Sequence, residues 1–397
     1  MNSTPLANRK HIAVFGNMNS GKSSLVNALT GQEISIVSTV KGTTTDPVKK
    51  TMELIPYGPV VFIDTAGMND VGELGRMRAE KSRDVLKETD FAIYVIDACE
   101  RDTHNLEEMM KLFNRFTTPF LLVINKTDLV DKERLEELKR QNSGAMELSA
   151  SMGIGIEALR KELAKRLQES EEDETLVGDL LPQGAKVILV VPVDSEAPKG
   201  RLILPQVQVI RDCLDHGIKS YVVRDTELES ALLDIPDVDL VITDSQAFAS
   251  VNTLVPDHIK LTSFSMILAR QKGDFEAFLR GAECVDQLKP DAHILITESC
   301  THNHTHEDIG RIKIPKLLNK YLGYDLQYDF YAGHDFPKKL EDYSLVIHCG
   351  ACMINKKALT SRLFECLEAG IPVTNYGILL AKLTGVLERT VEAMRKF

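Results

Sequence analysis

Short apolar runs alternate with segments of helical periodicity along most of this chain. The apolar runs have the length of buried strands and are predicted at 11–15, 60–63, 120–124, 187–191, 220–223, 240–243, 293–297, 325–331 and 345–347. Helical periodicity is predicted at 24–29, 156–164, 206–214, 228–233, 275–288, 314–321 and 361–369. Strands that alternate with helices are typical of parallel sheets covered by helices, so the pattern predicts an α/β fold.

The first strand run leads directly into a glycine-rich loop. Residues 16–23 read Gly-Asn-Met-Asn-Ser-Gly-Lys-Ser and precede the helical segment at 24–29. In this context backbone N–H groups turn toward phosphates, Lys22 reaches the β- and γ-phosphates, and the Ser23 hydroxyl ligates Mg²⁺. The predicted phosphate-binding residues are Gly16, Asn17, Asn19, Ser20, Gly21, Lys22, Ser23 and Ser24.

The strand at 60–63 ends in a second motif, Asp-Thr-Ala-Gly at 64–67. It places the Asp64 carboxylate near Mg²⁺ and the Gly67 N–H near the γ-phosphate. Hydrolysis of the bound nucleotide is predicted to use Lys22, Thr44, Asp64 and Gly67, with Ser23, Thr44 and Asp64 around Mg²⁺.

Two further loops predict recognition of guanine. Asn125-Lys126-Thr127-Asp128 follows the strand at 120–124, and the Asp128 carboxylate can accept both guanine N1–H and N2–H, which adenine does not offer. Ser149 and Ala150 form the last loop, with the Ala150 N–H available to guanine O6. GTP and GDP are therefore the predicted nucleotides, and residues 10–166 resemble the translation-factor-related small GTPases.

The chemistry of hydrolysis departs from that of Ras-type proteins. Met68 stands where those proteins use a glutamine to orient water, and an apolar side chain cannot do so. Hydrolysis must then depend on K⁺, on another residue or on a partner. Asp70 and Glu73 are candidate replacements for the glutamine, although surface charge is the alternative role for each.

A potassium ion is favoured by the sequence around the first switch. Gly-Thr-Thr-Thr-Asp at 42–46 is similar to the switch-one pattern of the tRNA-modification and Era-like GTPases, with Thr44 as the predicted Mg²⁺ ligand. Those enzymes carry an asparagine at the position of Asn19, and in potassium-activated members it helps to bind K⁺. The alternative for Asn19 is an amide that caps the loop.

Composition narrows the setting. The chain has 397 residues, a net charge of −11, 43% apolar residues and seven cysteines. The negative charge argues against nucleic acid or an anionic membrane as the main partner. No apolar run is long enough to span a bilayer, and the first residues are polar, so a cytoplasmic protein is expected. In the cytoplasm, cysteines are expected to be free thiols or metal ligands rather than to form disulfides.

An acidic run at 168–174 marks a joint in the chain. We predict three α/β domains: a P-loop GTPase domain at 1–168, a small parallel-sheet dimerisation domain at 185–270, and a C-terminal domain at 271–397. An acidic linker at 169–184 joins the first two. Asp194 lies in a long polar connection at the carboxyl end of a strand, where α/β sites usually form, although an ordinary surface loop is the alternative.

Three cysteines point to a metal site in the C-terminal domain. Cys300 follows the strand at 293–297, and Cys349 and Cys352 follow the strand at 345–347. If these strands are parallel, their carboxyl ends meet in one crevice. The thiolates with His302, His304 or His348 could form a Cys₃His zinc site, or they could hold three irons of a [4Fe–4S] cluster. The spacing does not decide between the metals, and a buried set that binds no metal is the third alternative. The other four cysteines are predicted to pack in the core: Cys99, Cys213, Cys284 and Cys366.

A family resemblance favours iron. A GTPase domain, a middle α/β domain and the pattern Cys300-Thr301-His302 with His348-Cys349-Gly350-Ala351-Cys352 together resemble the HydF family of [FeFe]-hydrogenase maturation GTPases, over essentially the whole chain. The resemblance implies an iron–sulfur cluster domain whose [4Fe–4S] cluster is bound by Cys300, Cys349 and Cys352. Candidates for the fourth ligand are His302, His304, His348 and Asp194.

The resemblance also implies a cargo and partners. The cargo would be a transient di-iron precursor bearing CO and CN⁻, which the protein would deliver to apo-[FeFe]-hydrogenase. Radical-SAM maturases would be further partners, and the chain would form a homodimer. Two other functions remain open from the residues: a ribosome- or RNA-associated GTPase with a structural zinc site, and a metal-independent switch that binds a protein.

Overall fold

The computed structural model describes residues 5–31, 47–65, 73–100, 104–170, 175–193, 202–299, 308–333 and 335–395, with only the backbone at 73–79 and 104. The chain divides into two compact units, Met1–Glu172 and Asp173–Phe397. Within the described ranges, no helix combines the length and the apolar character needed to cross a bilayer.

The first unit is a six-stranded sheet with helices on its faces. Its strands are β1 (Lys10–Gly16), β2 (Val48–Leu54), β3 (Gly58–Asp64), β4 (Phe91–Asp97), β5 (Phe120–Asn125) and β6 (Met146–Glu147). Its helices are α1 (Lys22–Thr30), α2 (Glu73–Lys87), α3 (His104–Arg115), α4 (Lys132–Gln141) and α5 (Ile156–Glu169). The order is β2-β3-β1-β4-β5-β6, with only β2 antiparallel to its neighbour. Buried apolar residues on both faces of this sheet form two cores.

The second unit begins with a four-stranded parallel sheet. Its strands are β7 (Lys186–Val190), β8 (Lys219–Val223), β9 (Leu240–Thr243) and β10 (Lys260–Ser263), in the order β10-β9-β7-β8. The helices are α6 (Leu204–Asp215), α7 (Leu228–Asp234), α8 (Phe248–Leu254) and α9 (Phe264–Lys272).

A second four-stranded parallel sheet follows in the same unit. It contains β11 (His293–Glu298), β12 (Gln327–Ala332), β13 (Leu345–His348) and β14 (Val373–Asn375), in the order β12-β11-β13-β14. The helices are α10 (Phe275–Glu283), α11 (Ile314–Leu322), α12 (Lys356–Glu368), α13 (Tyr376–Leu383) and α14 (Leu387–Glu392). The strands β11 and β13 are adjacent and parallel, with Thr297 opposite His348. The parallel pairing on which the predicted crevice depends is therefore present.

Packing joins the two sheets of this unit into one body. The core beneath the first sheet includes Phe264 and Ile267 of α9 together with Ala393 and Met394 from the end of the chain. This shared core joins the two sheets in a single compact unit. The predicted boundary at 270/271 lies between the two sheets and stays a prediction.

The predicted linker at 169–184 is too long at its carboxyl end. Leu176, Val177, Leu180 and Leu181 are buried in the core of the first sheet of the second unit. Their apolar contacts attach this segment to the sheet.

Candidate functional site

The phosphate-binding loop connects β1 to α1 as predicted. Lys22 is buried, and its ammonium group donates hydrogen bonds to the carbonyl oxygens of Gly16 at 3.1 Å and Asn17 at 2.7 Å. These bonds hold the loop closed around the lysine. Ser23 and Ser24 are exposed at the first turn of α1, where free N–H groups and the helix dipole favour an anion.

Two glycines are required by close contacts in this loop. A Cβ at Gly16 would lie 2.5 Å from the carbonyl oxygen of Val95, and a Cβ at Gly21 would lie 2.2 Å from Nδ2 of Asn125. Gly21 also has a φ of 92°, a left-handed conformation that other residues rarely adopt. Asn19 has a φ of 62° and is exposed, and asparagine tolerates this conformation better than most residues.

Asn125 connects the phosphate loop to the last loop of the site. It is 2% exposed, its Nδ2 donates to the Ser20 carbonyl at 2.9 Å, and its Oδ1 accepts from the Ala150 N–H at 3.0 Å. Ser149 beside it is fully buried, and its hydroxyl accepts from the Met152 N–H at 3.3 Å. The side-chain amide of Asn125 thus connects the phosphate loop to the loop at Ser149 and Ala150, which the sequence predicted to belong to one site.

The base-recognition residues follow β5. Asp128 is exposed in a short 3₁₀ turn, which leaves its carboxylate accessible to a base. Lys126 adopts a left-handed φ of 64° and forms an ion pair with Asp97 at 2.6 Å. The loop therefore has a fixed backbone and an accessible acidic group.

Asp64, a predicted Mg²⁺ ligand, is the last residue of β3. Burial raises the pKa of its carboxyl group, while a hydrogen bond from Ser23 and the charges of Lys22 and Lys50 act in the opposite direction. The Ser23 hydroxyl therefore lies within hydrogen-bond reach of the Asp64 carboxylate, and their shared role at Mg²⁺ stays a prediction. Of the remaining predicted residues, Thr44, Gly67, Met68 and Asp70 lie outside the described residues, as does the side chain of Glu73.

Sequence reasoning missed a polar network behind the loop. Asn17 is buried, its Nδ2 donates to Glu100 at 3.0 Å, and its Oδ1 accepts from Asn105 at 2.9 Å. Asn17 belongs to the phosphate-loop motif, but Glu100 and Asn105 lie more than 80 residues away from it and belong to no motif, so nothing in the sequence pattern identified these two partners.

In the second unit, two of the three predicted cysteine ligands, Cys349 and Cys352, follow the carboxyl end of β13. The Sγ atom of Cys349 accepts a hydrogen bond from the Ser299 N–H at 3.1 Å and lies 3.2 Å from the Ser299 hydroxyl. The Ala351 N–H lies 3.4 Å from the same sulfur. Ser299 directly follows β11, so the ends of two adjacent strands meet at one thiol.

Cys352 is half-buried in the same loop. Burial and the neighbouring Cys349 raise the pKa of its thiol, while Lys272 and the Ser299 hydroxyl act in the opposite direction. Both sulfurs therefore lie within reach of Ser299. Cys300, His302, His304 and Asp194 lie outside the described residues, and within the described ranges no three His, Cys, Asp or Glu side chains are grouped as a metal site.

His348 is held at both ring nitrogens. It is 1% exposed, and burial together with Arg362 lowers its pKa to about 3. Arg362 can only donate, so Nε2 of the neutral ring accepts from Nη1 of Arg362 at 3.1 Å. Nδ1 then carries the proton and donates to the Cys349 carbonyl at 2.9 Å. The ring thus supports the cysteine backbone.

The other cysteines divide in a way that the sequence did not predict. Cys213 and Cys366 are buried as expected, and burial raises the pKa of each thiol to about 12. Cys284 is only half-buried, and Cys99 is exposed. The prediction for Cys99 was wrong because the residue lies in the turn after β4, two residues beyond the end of the strand at Asp97.

Three family models match successive parts of the chain. Residues 11–126 match the model described as a 50S ribosome-binding GTPase, 176–273 the hydrogen maturase F dimerization domain, and 276–393 the hydrogen maturase F tetramerization domain. The last two together cover most of the second unit.

Individual relatives are similar mainly in the first unit. The tRNA modification GTPase MnmE of Aquifex aeolicus is 35% identical over 164 residues, which are 41% of this chain and 35% of that protein. GTPase Era of Caldicellulosiruptor saccharolyticus is 29% identical over 239 residues, 58% of this chain and 75% of that protein. A solved structure of Aquifex aeolicus Era bound to GDP·AlF₄⁻ aligns with 20% identity over 54% of this chain and 93% of that one, at a TM-score of 0.35. This chain thus spans about a third of the MnmE relative.

The sheet order, the phosphate loop and the guanine motifs define the first unit as a P-loop GTPase domain. With the two matches in the second unit, the chain belongs to the hydrogen maturase F family. The family models describe self-association of both parts of the second unit, beyond the dimer that the sequence predicted.

Proposed function

We propose that this chain is a GTP-hydrolysing scaffold that binds a [4Fe–4S] cluster through Cys300, Cys349 and Cys352. The observation that carries the proposal is the contact between Cys349 and Ser299. It joins the end of β13 to the residue that directly precedes Cys300 in the sequence.

The donors around Cys349 suit an iron–sulfur ligand. The sulfur accepts from Ser299 N–H and has the Ser299 hydroxyl and the Ala351 N–H nearby. Hydrogen bonds to sulfur favour the thiolate, which is the form that binds metal, and they tune the potential of such clusters. When bound, a cluster held by three thiolates supplies one iron with an exchangeable position.

The fourth ligand is proposed to come from His302, His304, His348 or Asp194. For His348, coordination through Nε2 would require the loss of its bond to Arg362, and coordination through Nδ1 the loss of its bond to the Cys349 carbonyl. His348 could therefore act as a ligand only after giving up one of these two hydrogen bonds.

The proposed cargo is a di-iron precursor bearing CO and CN⁻, delivered to apo-[FeFe]-hydrogenase, with radical-SAM maturases as further partners. The family match supports this role over that of a ribosome-associated GTPase with a structural zinc site, because two of the three models describe hydrogen maturase F. The GTPase domain is proposed to use K⁺ at Asn19 and to control exchange of partners.

Anaerobic reconstitution with iron and sulfide tests the metal. The wild-type chain is expected to bind about four irons and four sulfides and to give a paramagnetic signal on reduction. Cys349→Ser and Cys352→Ser are expected to lose the cluster, as is Cys300→Ser. Cys284→Ser is the matched control, because Cys284 is half-buried in the same unit but lies apart from the loop.

The alternatives predict other results. Stoichiometric zinc in the purified protein, retained after reconstitution, would favour the structural zinc site. A chain that binds neither metal, or that binds iron equally well in the three serine variants, would contradict the proposal.

A further inference from the structure

A lysine from the neighbouring sheet reaches the cysteine loop. Lys272 is the last residue of α9, which follows the last strand of the first sheet of the second unit. It is 5% exposed, and its ammonium group donates to the carbonyl oxygens of Ala351 at 3.1 Å and Ile354 at 3.3 Å. A buried charge is costly unless its hydrogen bonds are satisfied, so these contacts constrain both partners.

The loop conformation at Ala351 requires such support. Ala351 is fully buried and has a φ of 53°, a left-handed conformation that is unfavourable for residues other than glycine. In this conformation its N–H is directed toward the Sγ of Cys349 while its carbonyl oxygen is directed toward Lys272. One residue therefore connects the sulfur to the lysine through its own peptide groups.

The charge of Lys272 also acts on the second cysteine. Its ammonium group is hydrogen-bonded to the carbonyl oxygen of Ala351, the residue directly before Cys352, so the positive charge lies in the cysteine loop. A fixed positive charge beside a thiolate stabilises negative charge, and the addition of an electron to a cluster increases that negative charge.

We propose that Lys272 is a positioning residue for the cysteine loop and raises the reduction potential of the cluster bound there. The inference rests on the proposed iron–sulfur function. Lys272 would fix the left-handed turn at Ala351 through two hydrogen bonds. Its charge would favour the reduced cluster, since net charge and hydrogen bonding near the sulfurs set the potential.

Three substitutions separate the charge from the hydrogen bonds. Lys272→Met removes both, Lys272→Gln keeps a donor without the charge, and Lys272→Arg keeps the charge. Lys382→Met is the matched control, since Lys382 is a mostly buried lysine of the same unit that is paired with Asp286. Each full-length variant is reconstituted, its iron and sulfide are counted, and its midpoint potential is measured by a redox titration followed by paramagnetic resonance.

Lys272→Gln is expected to hold the cluster at a more negative potential, with at least a tenfold lower ratio of reduced to oxidised cluster at a fixed potential. That change corresponds to about 59 mV for a one-electron couple. Lys272→Met is expected to show the same shift with a lower cluster content, whereas Lys272→Arg and Lys382→Met stay near the wild type.

A wild-type potential and cluster content in both Lys272→Met and Lys272→Gln would overturn the inference. If Lys272→Met fails to fold, the comparison of Lys272→Gln with Lys272→Arg decides the role of the charge. A wild-type chain that holds no iron would instead contradict the proposed function itself, so the two failures are distinguishable.

Discussion

Asn125 lies so close to Gly21 that a methyl group on the glycine would come within 2.2 Å of the amide nitrogen. The same nitrogen donates to the Ser20 carbonyl, so the glycine is required where the guanine loop supports the phosphate loop. A contact of this kind couples the binding of base and phosphate.

Gly21→Ala is expected to reduce the affinity for GDP by more than tenfold, because either Asn125 or the phosphate loop must move. Binding of a fluorescent GDP analogue measures this loss. Gly31→Ala is the control: Gly31 also has a positive φ, 66°, but nothing lies within 4 Å of its Cβ position. The control should lose about 1 kcal/mol of stability and keep its affinity. Equal affinities in the two variants would contradict the role of the contact.

Asp128→Asn is expected to exchange guanine for xanthine specificity. The Asp128 carboxylate can only accept, which matches guanine N1–H and N2–H, whereas an asparagine amide can accept from xanthine N1–H and donate to its O2. Affinity for GDP should fall by two orders of magnitude or more, and affinity for xanthosine diphosphate should rise. Competition between the two nucleotides measures the exchange. A parallel loss of both would indicate damage to the loop rather than altered recognition.

Hydrolysis of GTP is expected to be faster in K⁺ than in Na⁺ at matched ionic strength. Asn19 is exposed on the phosphate loop, where its amide oxygen is available to a cation. Asn19→Ala should remove the preference between the two salts, while Met18→Ala, its exposed neighbour, should retain it. Phosphate release in the two salts is the measurement, and equal rates in the wild type would remove the argument for K⁺.

Lys22→Ala is expected to abolish hydrolysis and leave the spectrum of the reconstituted cluster nearly unchanged. Lys22 holds the phosphate loop through Gly16 and Asn17, all within the first unit, whereas the cysteines belong to the second. Phosphate release and the paramagnetic signal of the reduced protein are measured on the same sample. Loss of the cluster in this variant would contradict a division of labour between the units.

Arg389→Met is expected to loosen the contact between the two sheets of the second unit. The guanidinium group donates to Asn252 at 2.7 Å and to the carbonyl oxygens of Val255, Pro256 and Ile259. Their loss leaves several acceptors without a donor and should cost about 2 kcal/mol, or roughly thirtyfold in local protection. Hydrogen exchange of peptides that cover β10 measures it. The exposed Arg211→Met variant should exchange like the wild type.

The sequence predicted most of the guanine site and little of what holds the cysteine loop. Motif residues such as Lys22 and Asp128 are recognisable because each lies in a short loop whose preceding strand and motif neighbours are adjacent in the sequence. By contrast, Lys272 ends α9 and contacts Ala351 only because the two sheets of the second unit pack together. Arg362 lies on α12 and contacts His348 at the end of β13. No local pattern distinguishes such a lysine or arginine from a surface charge. The burial of Leu176 was not predicted because the acidic residues before it made the whole segment resemble a solvated linker.

Cys352 packs against the core beneath the neighbouring sheet as well as lying in its own loop. The reactivity of its thiol therefore depends on how tightly that neighbouring sheet is packed. Its rate of alkylation by a small reagent in the metal-free protein should rise whenever the neighbouring sheet opens. Mass spectrometry of the alkylated protein can therefore follow the packing between the two sheets of the second unit.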